Sequence, residues 1–508
     1  MCFEHGDSTI VRTDKGLLRG FRYNETYHFY GVKYADAERF MPPVEVEPWE
    51  GIKEAVNYGY ICPSLREDTI GNNLKNPHRF WPTSEHCQYL NIWTNSISDE
   101  IKKPVLVWFH GGGFHYGSSL EHASYDGYSL CNEGDVVVVT LNHRLNVLGY
   151  LDLSDYGEKY KKSKNVGNLD LIAALKWVNK NIEHFGGDKD NVTIFGQSGG
   201  GAKVSSVMNM PSSKGLFKRG MIMSGVSNEV MWDYGRDMRE VVALTLKKSG
   251  ISKDNFSEIK TIDPRILAKN YAVAYKELGG VGVEFFGPTK SEDYIGEPFN
   301  NGFTDHAKAA PLIVGSNFSE FSPLPIQYER NKMTEKEMII EIEKVYGKEK
   351  ASQIIPEFKK AFPNNKLIDV FSYDRESLRK TIIDFVKWRS KNECASTYCY
   401  HFNPIFRIND GSTALHSSDI AFMFNNISMV PSTYLGKGVA ENLQKEMAGR
   451  LLAFAKTNVP NIEGSIDWKE SDINNVHTMV FAEKCEVKTN FDEKLLNLME
   501  GLKVFGRA

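Results

Sequence analysis

The sequence predicts an α/β fold in which a mostly parallel central sheet is flanked by helices. Short apolar runs without alternation span residues 106–109, 136–141 and 192–195, and such runs are typical of strands covered on both faces. Between the last two runs, apolar residues recur at helical spacing over about 168–185 until Gly186-Gly187. Strand, helix and strand in this order form the core of a doubly wound α/β fold.

The last of these strands leads directly into Gly196-Gln197-Ser198-Gly199-Gly200-Gly201. Gly-x-Ser-x-Gly after a strand predicts a nucleophile elbow, in which the chain turns sharply and the serine hydroxyl projects from the sheet. Flanking glycines are needed there because a Cβ would collide with neighbouring backbone. The pattern alone also fits an ordinary glycine-rich turn, so it needs independent support.

That support comes from a second motif upstream. Residues 104–110 predict a buried strand that runs into Gly111-Gly112-Gly113-Phe114. A His-Gly-Gly-Gly turn after a strand supplies part of the oxyanion hole in hydrolases of this class, because no side chain blocks its N–H groups. Both motifs follow strands in the expected order, which favours a hydrolase over a flexible loop.

A serine nucleophile needs a base, usually a histidine that a buried carboxylate orients. In α/β-hydrolases the acid precedes the histidine, and both follow the serine. His401 lies in a strand-like run, His477 lies beside another, and His416 lies in a loop rich in turn residues. Because catalytic residues concentrate in loops, His416 is the preferred base.

Glu320 is the preferred acid. It follows the strand-like run 312–314 and the turn 315–317, which places it at the carboxyl end of the sheet. Asp293 and Glu292 are weaker rivals because no strand leads into them.

Bulk composition excludes several other classes of protein. The 508 residues are 41% hydrophobic and carry a net charge of −4, which gives no reason to expect nucleic acid or an anionic membrane as partner. No run approaches the roughly 18 apolar residues of a membrane span. The polar N-terminus lacks a signal-peptide core, so we expect a cytoplasmic protein, or a secreted one if a signal peptide has been removed.

Seven cysteines, an odd number at low density, argue against a disulfide scaffold. No His, Cys and carboxylate cluster has metal spacing, so we expect no metal and no cofactor. Residues of about 329–390 are helical in pattern and heavily charged, and we interpret them as a helical cap. Since no seam marks a second domain, the sequence predicts a single domain over 1–508.

Further sequence segments match one family along almost the whole chain. The chain resembles the type-B carboxylesterases, the family of carboxylesterases and cholinesterases. The matching segments follow in the family's order and are Arg39-Phe40-Met41-Pro42-Pro43, Ser84-Glu85-His86-Cys87-Gln88-Tyr89-Leu90-Asn91-Ile92-Trp93, Asn142-His143-Arg144-Leu145-Asn146-Val147-Leu148-Gly149, Ala174-Leu175-Lys176-Trp177-Val178-Asn179-Lys180-Asn181-Ile182 and Phe185-Gly186-Gly187-Asp188.

The resemblance implies a Ser-Glu-His triad and an oxyanion hole of three backbone N–H groups. The implied residues are Ser198 as nucleophile, Glu320 as acid, His416 as base, and Gly112, Gly113 and Gly199 as oxyanion donors. Gly199 stands where the family more often has alanine, and Asp419 replaces the usual glutamate of the histidine segment.

Other positions match the family less closely. Ser224 matches a serine that hydrogen-bonds near the acid, and Gln197 replaces the usual glutamate before the nucleophile. Phe285 and Phe286 fall where acyl-pocket aromatics are expected, although core phenylalanines would look the same. Cys62 and Cys87 match a pair that closes a loop in secreted members, and whether they are bonded stays open.

Two departures bear on the substrate. Lys75 falls where cholinesterases carry a tryptophan that stacks on choline, with Trp81 close by, and Gln197 removes a negative charge. We therefore interpret the chain as a serine carboxylesterase that hydrolyses small, uncharged esters through an acyl-enzyme. The alternative is a catalytically inactive cholinesterase-like binding or adhesion protein, but such relatives typically lack the serine. The natural ester, its acyl length and the oligomeric state stay open.

Overall fold

Strands and helices alternate through the central part of the chain, as the sequence predicts. The structure is a computed structural model that describes residues 2–65, 79–226, 237–280, 284, 286–325, 327–408 and 411–502. The chain divides into two units, Met1–Ala310 and Pro311–Ala508, and the single domain over 1–508 stays a prediction. Strands of the first unit are β1 (Phe3–Glu4), β2 (Ile10–Arg12), β3 (Leu17–Arg19), β4 (Phe21–Tyr23), β5 (Thr26–Lys33), β6 (Ile52–Glu54), β7 (Tyr89–Thr94), β8 (Lys103–Phe109), β9 (Val137–Leu141), β10 (Gly187–Gln197) and β11 (Arg219–Met223).

The sheet of the first unit is antiparallel at one edge and parallel at its centre. Its order is β1-β4-β5-β7-β9-β8-β10-β11, with parallel pairing from β9 onwards, while β2, β3 and β6 form a separate small sheet. Helices of this unit include α1 (Tyr128–Gly134), α2 (Asn146–Tyr150), α3 (Val166–Asn181), α4 (Gly199–Met208), α5 (Arg239–Lys248), α6 (Pro264–Glu277), α7 (Pro298–Asn301) and α8 (Asp305–Ala309).

The three apolar runs of the sequence are the central strands β8, β9 and β10. Every residue of β9 is buried, as expected of a strand that is covered on both faces. The predicted helix over 168–185 is α3, followed by a 3-10 turn over Ile182–Phe185, and Gly186 ends it at a φ of +72°. The predicted α/β class with a mostly parallel sheet is therefore confirmed.

The second unit repeats this pattern with fewer strands. Its strand order is β12 (Leu312–Asn317), β13 (Thr397–Phe402), β14 (His477–Phe481) and β15 (Glu486–Thr489), and only the last pair is antiparallel. The charged segment predicted as helical is helical, but its role as a cap stays a prediction. Helices of this unit include α9 (Glu335–Tyr346), α10 (Lys348–Ala361), α11 (Leu378–Lys391), α12 (Ile420–Met423), α13 (Val439–Thr457) and α14 (Glu493–Met499).

A search of the described residues finds no helix that combines the length and the apolar character needed to cross a membrane.

A buried ion pair ties α3 to the loops around it. Arg144 contacts both carboxylate oxygens of Asp170 on α3, at 2.6 and 2.8 Å, and both side chains are almost fully buried. The same guanidinium donates to the carbonyl oxygens of Glu38 and Met41 at 3.0 and 2.8 Å. Arg144 thus holds the N-terminal loop against the helix that precedes β10.

We expect Arg144→Met to lower the free energy of unfolding by about 3–5 kcal/mol, because the carboxylate of Asp170 would be left buried without its partner. The measurement is urea denaturation followed by circular dichroism. Lys161→Met is the matched control, since Lys161 makes an exposed pair with Glu158 at 2.5 Å and should change stability by less than about 1 kcal/mol. Equal losses of unfolding free energy in both variants would contradict the prediction that the buried pair stabilises the protein more than the exposed pair.

Candidate active site

Ser198 lies at a sharp turn between β10 and α4. Its backbone has φ +58° and ψ −127°, a positive-φ conformation outside the left-handed helical region that is strained for a residue with a side chain. The turn is held by Ser198 N–H, which donates to the carbonyl of Met223 at 2.7 Å. A Cβ added at Gly196 would lie 2.4 Å from the carbonyl carbon of Gly200, so the turn requires glycine at this position. This is the backbone geometry expected of a nucleophile elbow.

The glycine turn after β8 lies directly beside this elbow. Gly112 and Gly113 have φ values of +85° and +63°, and an added Cβ at Gly111 would lie 3.7 Å from the Cβ of Ser198. An added Cβ at Gly199 would lie 2.2 Å from the carbonyl oxygen of Gly113 and 2.3 Å from its nitrogen. The predicted oxyanion donors are thus neighbours in the first unit, and Gly199 has no room for the alanine that the family more often carries.

Gln197 and Ser224 flank the elbow. Gln197 is the last residue of β10, lies opposite Met223 of the adjacent strand, and is almost fully buried. Its side-chain oxygen lies 3.7 Å from the position of an added Cβ at Gly111. Ser224 follows β11 directly and has a φ of +47°. Gln197 therefore precedes Ser198 directly in the sequence, and Ser224 follows the strand that pairs with β10.

Glu320 and His416 form a direct pair in the second unit. Oε2 of Glu320 lies 2.5 Å from Nδ1 of His416, and Oε1 accepts from the backbone N–H of Asn317 at 2.6 Å. The backbone N–H of His416 also donates to the carbonyl of Glu320 at 2.8 Å. Glu320 is buried, whereas the imidazole keeps 13% of its surface exposed. A carboxylate at Nδ1 selects the tautomer whose Nε2 carries the lone pair that a base needs.

The rival residues have other partners. Asp293 and Glu292 both pair with Lys162, at 2.9 and 3.3 Å. His401 lies inside β13, where burial lowers its pKa to about 3. His477 lies on β14 and contacts the hydroxyl of Thr489 at 2.8 Å. These contacts support the preference for Glu320 and His416 over the rivals.

A second carboxyl group lies close to the acid. Asp419 accepts from the hydroxyl of Tyr400 at 2.7 Å and from the side-chain amide of Asn317 at 3.3 Å. Burial raises the pKa of Asp419 to about 6, and the negative charge of Glu320 adds to that rise. Asn317 therefore bridges the two carboxyl groups, with its backbone on Glu320 and its side chain on Asp419. Tyr400 was not among the predicted site residues, since a tyrosine inside a strand-like run suggests core packing.

The remaining predicted positions lie partly outside the described residues. Phe285 and Lys75 are among the residues that the structure does not describe. Phe286 is buried and stacks on Tyr271, with ring centroids 4.8 Å apart. It also meets the ring of His115 edge-on at 4.8 Å, so both a core and an acyl-pocket role stay open.

Cys62 and Cys87 are free, buried thiols. Burial raises the pKa of the Cys87 thiol, and its hydrogen bond with Cys62 adds to the effect. In the described part of the chain, no group of three or more His, Cys, Asp or Glu side chains is placed to hold a metal ion.

Lys203 is a residue that sequence reasoning missed. It lies on α4 one turn beyond Ser198 and is fully buried, where its ammonium contacts the turn after β8. One signal was present in the sequence, because a single lysine interrupts the run of small and apolar residues 199–204.

Comparison with known proteins identifies the family. The model of the carboxylesterase family matches residues 7–499. Among curated proteins, the para-nitrobenzyl esterase of Bacillus subtilis (strain 168) is 29% identical over 480 residues, which is 90% of this chain and 92% of that protein. Acetylcholinesterase of Gallus gallus is 38% identical over 233 residues, but this covers 43% of the chain and 30% of that enzyme.

Solved structures that resemble this chain include esterases. An esterase from anaerobic Clostridium hathewayi that can hydrolyse aliphatic aromatic polyesters has a TM-score of 0.94 and 41% identity, covering 99% of this chain and 100% of that one. A thermophilic para-nitrobenzyl esterase has a TM-score of 0.78 and 26% identity, covering 97% and 99%. The chain therefore belongs to the carboxylesterase family, has the α/β-hydrolase fold and is a carboxylic-ester hydrolase.

Proposed function

We propose that the chain hydrolyses uncharged carboxylic esters through Ser198, Glu320 and His416 by way of an acyl-enzyme. The observation that carries the proposal is the contact of 2.5 Å between Glu320 and Nδ1 of His416, because it gives the histidine the orientation and tautomer that a base needs. The strained, positive-φ backbone at Ser198 supports the choice of nucleophile. Because these residues come from both units of the chain, we also propose that residues 1–508 act as one catalytic domain.

In the acylation step, Nε2 of His416 takes the proton of the Ser198 hydroxyl while the serine oxygen attacks the ester carbonyl carbon. The carbonyl π electrons move to its oxygen, and the N–H groups of Gly112, Gly113 and Gly199 donate to this oxyanion. Collapse of the tetrahedral intermediate expels the alcohol, which leaves with the proton from His416.

In the deacylation step, water replaces the alcohol. His416 takes a proton from water, and the hydroxide oxygen attacks the acyl carbon attached to Ser198. Collapse breaks the acyl–serine bond, returns the proton to the serine oxygen and releases the carboxylic acid. Glu320 stays ionised throughout and balances the imidazolium charge that His416 carries in both steps.

Neutral esters are the proposed substrate class because Gln197 places an amide rather than a carboxylate beside the nucleophile. Aliphatic aromatic esters belong to the test panel, since the similar esterase from Clostridium hathewayi can hydrolyse polyesters of that kind. A series of nitrophenyl esters of graded acyl length, together with short aliphatic aromatic oligoesters, would define the acyl preference. The inactive binding protein is the less favoured alternative, because the chain keeps a serine at the elbow.

Ser198→Ala should abolish ester hydrolysis while the circular dichroism spectrum stays unchanged. Members of a triad act as a unit, so turnover should fall by a factor on the order of 10^4 to 10^6. Ser205→Ala, in the helix that begins directly after Ser198, is the matched control and should keep its activity. Mass spectrometry after organophosphate treatment should find the label on Ser198, and full activity of the alanine variant would refute the mechanism.

Glu320→Gln should lower kcat by a factor on the order of 10^2 to 10^4, because the imidazolium of His416 loses its counter-charge. The variant should fold, since the backbone bond from His416 to the carbonyl of residue 320 does not involve the side chain. Asp293→Asn is the matched control, because Asp293 pairs with Lys162, and it should cost little activity. Kinetics with one nitrophenyl ester compares the two, and the reverse result would show that the acid is misassigned.

A choline ester should be hydrolysed no better than the 3,3-dimethylbutyl ester of the same acid, its uncharged isostere. An aromatic face stabilises a desolvated quaternary ammonium by about 2 kcal/mol or more, and Lys75 falls where the family's cation-binding aromatic is expected. The two esters are compared by kcat/KM in one buffer.

A tenfold preference for the choline ester, about 1.4 kcal/mol, would contradict this prediction. Trp81 would then be the first candidate for the cation site, since the residue keeps 37% of its surface exposed and its indole packs edge-on against Tyr58. Loss of that preference in Trp81→Ala would identify it.

A further inference from the structure

The ammonium group of Lys203 is buried beneath the glycine turn that follows β8. Nζ donates to the carbonyl oxygens of His110 and Gly111, at 2.9 and 3.3 Å, and the side chain has no exposed surface. Lysine is among the residue types that are least often fully buried, and an ammonium inside a protein needs compensating partners. Packing alone therefore does not account for a buried ammonium group under this turn.

The carboxyl group of Glu121 interacts with this ammonium through its charge. Glu121 is buried and accepts from the hydroxyl of Tyr125 at 3.3 Å. Burial raises the pKa of Glu121 to about 7, and the positive charge of Lys203 opposes that rise. Burial likewise lowers the pKa of Lys203 to about 7, and Glu121 opposes that fall. Each group thus stabilises the charged form of the other.

Among the described residues, the other groups around Lys203 are two imidazoles, an aromatic ring and a thiol. Burial, together with the lysine charge, keeps the pKa values of His110 and His143 well below the usual range, so both imidazoles are neutral. The ring centroid of Phe114 lies 5.7 Å from Nζ, and the thiol of Cys62 opposes the fall in the pKa of Lys203.

The two carbonyl groups that Lys203 contacts belong to the peptide units of the turn. The carbonyl of Gly111 shares its peptide unit with the N–H of Gly112, and a hydrogen bond to the oxygen of an amide polarises the amide and strengthens its N–H as a donor. The second contact, to the carbonyl of His110, fixes the preceding peptide unit. The lysine therefore acts on the backbone that should bind the oxyanion.

We propose that Lys203 is a positioning residue for the esterase reaction, whose ammonium group clamps the His110–Gly111 backbone and strengthens the Gly112 N–H as an oxyanion donor. This inference rests on the proposed function, in which Gly112 binds the oxyanion. A positive charge fixed beneath the turn also stabilises negative charge that develops above it, and fixed charges are most effective in a site that excludes water.

Lys203→Met tests the proposal, because methionine keeps the length of the side chain and removes its charge and donors. Loss of an entire oxyanion donor costs about 10^2 to 10^3 in kcat, so weakening one should cost about tenfold to a hundredfold. The loss should appear in kcat, with KM nearly unchanged, after active sites have been counted by organophosphate titration. Affinity for a trifluoromethyl ketone, which forms an oxyanion adduct with the serine, should fall by the same factor.

Lys103→Met is the matched control. Lys103 is also nearly buried, pairs with Asp135 at 2.6 Å, and begins the strand at whose other end the glycine turn lies. This variant should lose stability without any change in kcat per titrated site. A loss of kcat equal to that of Lys203→Met would mean that removal of any buried lysine disturbs the site, and would overturn the proposal.

The double variant Lys203→Met/Glu121→Gln separates catalysis from folding. The single variant leaves Glu121 buried without its counter-charge, which should lower Tm, and removal of both charges should restore Tm. We expect kcat and ketone affinity to stay low in the double variant. Recovery of both together with Tm would show a purely structural role for Lys203, and wild-type kinetics in the single variant would refute the proposal outright.

Failure of this inference can be told apart from failure of the proposed function. If Ser198→Ala abolishes hydrolysis and Lys203→Met matches the wild type, only the role of Lys203 is wrong. If Ser198→Ala keeps its activity, the proposed mechanism is wrong, and the inference that rests on it is wrong as well.

Discussion

The close approach of two backbone turns is the constraint on which the rest of the site depends. Parallel pairing of β8 with β10 brings the turns after both strands to one edge of the sheet. An added Cβ at Gly200 would lie 2.0 Å from the carbonyl oxygen of Phe109, and one at Gly199 would lie 2.2 Å from that of Gly113. Ser198 is thus a side chain at a junction that is otherwise made of backbone, because the glycines beside it have no side chain that could cover their N–H groups.

Two pairs of oppositely charged side chains are buried in the unit that contains this junction. Arg144 and Asp170 are held by several hydrogen bonds, which offset the desolvation of both groups. Lys203 and Glu121 interact through their charges, and burial moves both of their pKa values towards neutrality. The first pair has a structural role. The second pair has shifted pKa values, which are common among groups near a reaction centre.

The sequence was sufficient where a residue is defined by local pattern. The strand, glycine and serine pattern predicted the elbow, and the periodicity of apolar residues predicted α3 to within a few residues. It was insufficient where a role depends on distant packing, since Lys203 contacts a turn more than 90 positions away. The lack of room at Gly199 is likewise a matter of distances between strands, and a sequence pattern does not contain those distances.

Glu320 contacts His416 through its side chain and through its main chain, and the two contacts differ in how they constrain the evolution of the site. The carboxylate meets Nδ1, while the main-chain carbonyl accepts from the main-chain N–H of the histidine. The second bond does not depend on which side chain residue 320 carries. The loop that presents the histidine therefore stays anchored when the acid is exchanged, so evolution can vary the acidity of this position without first rebuilding the loop.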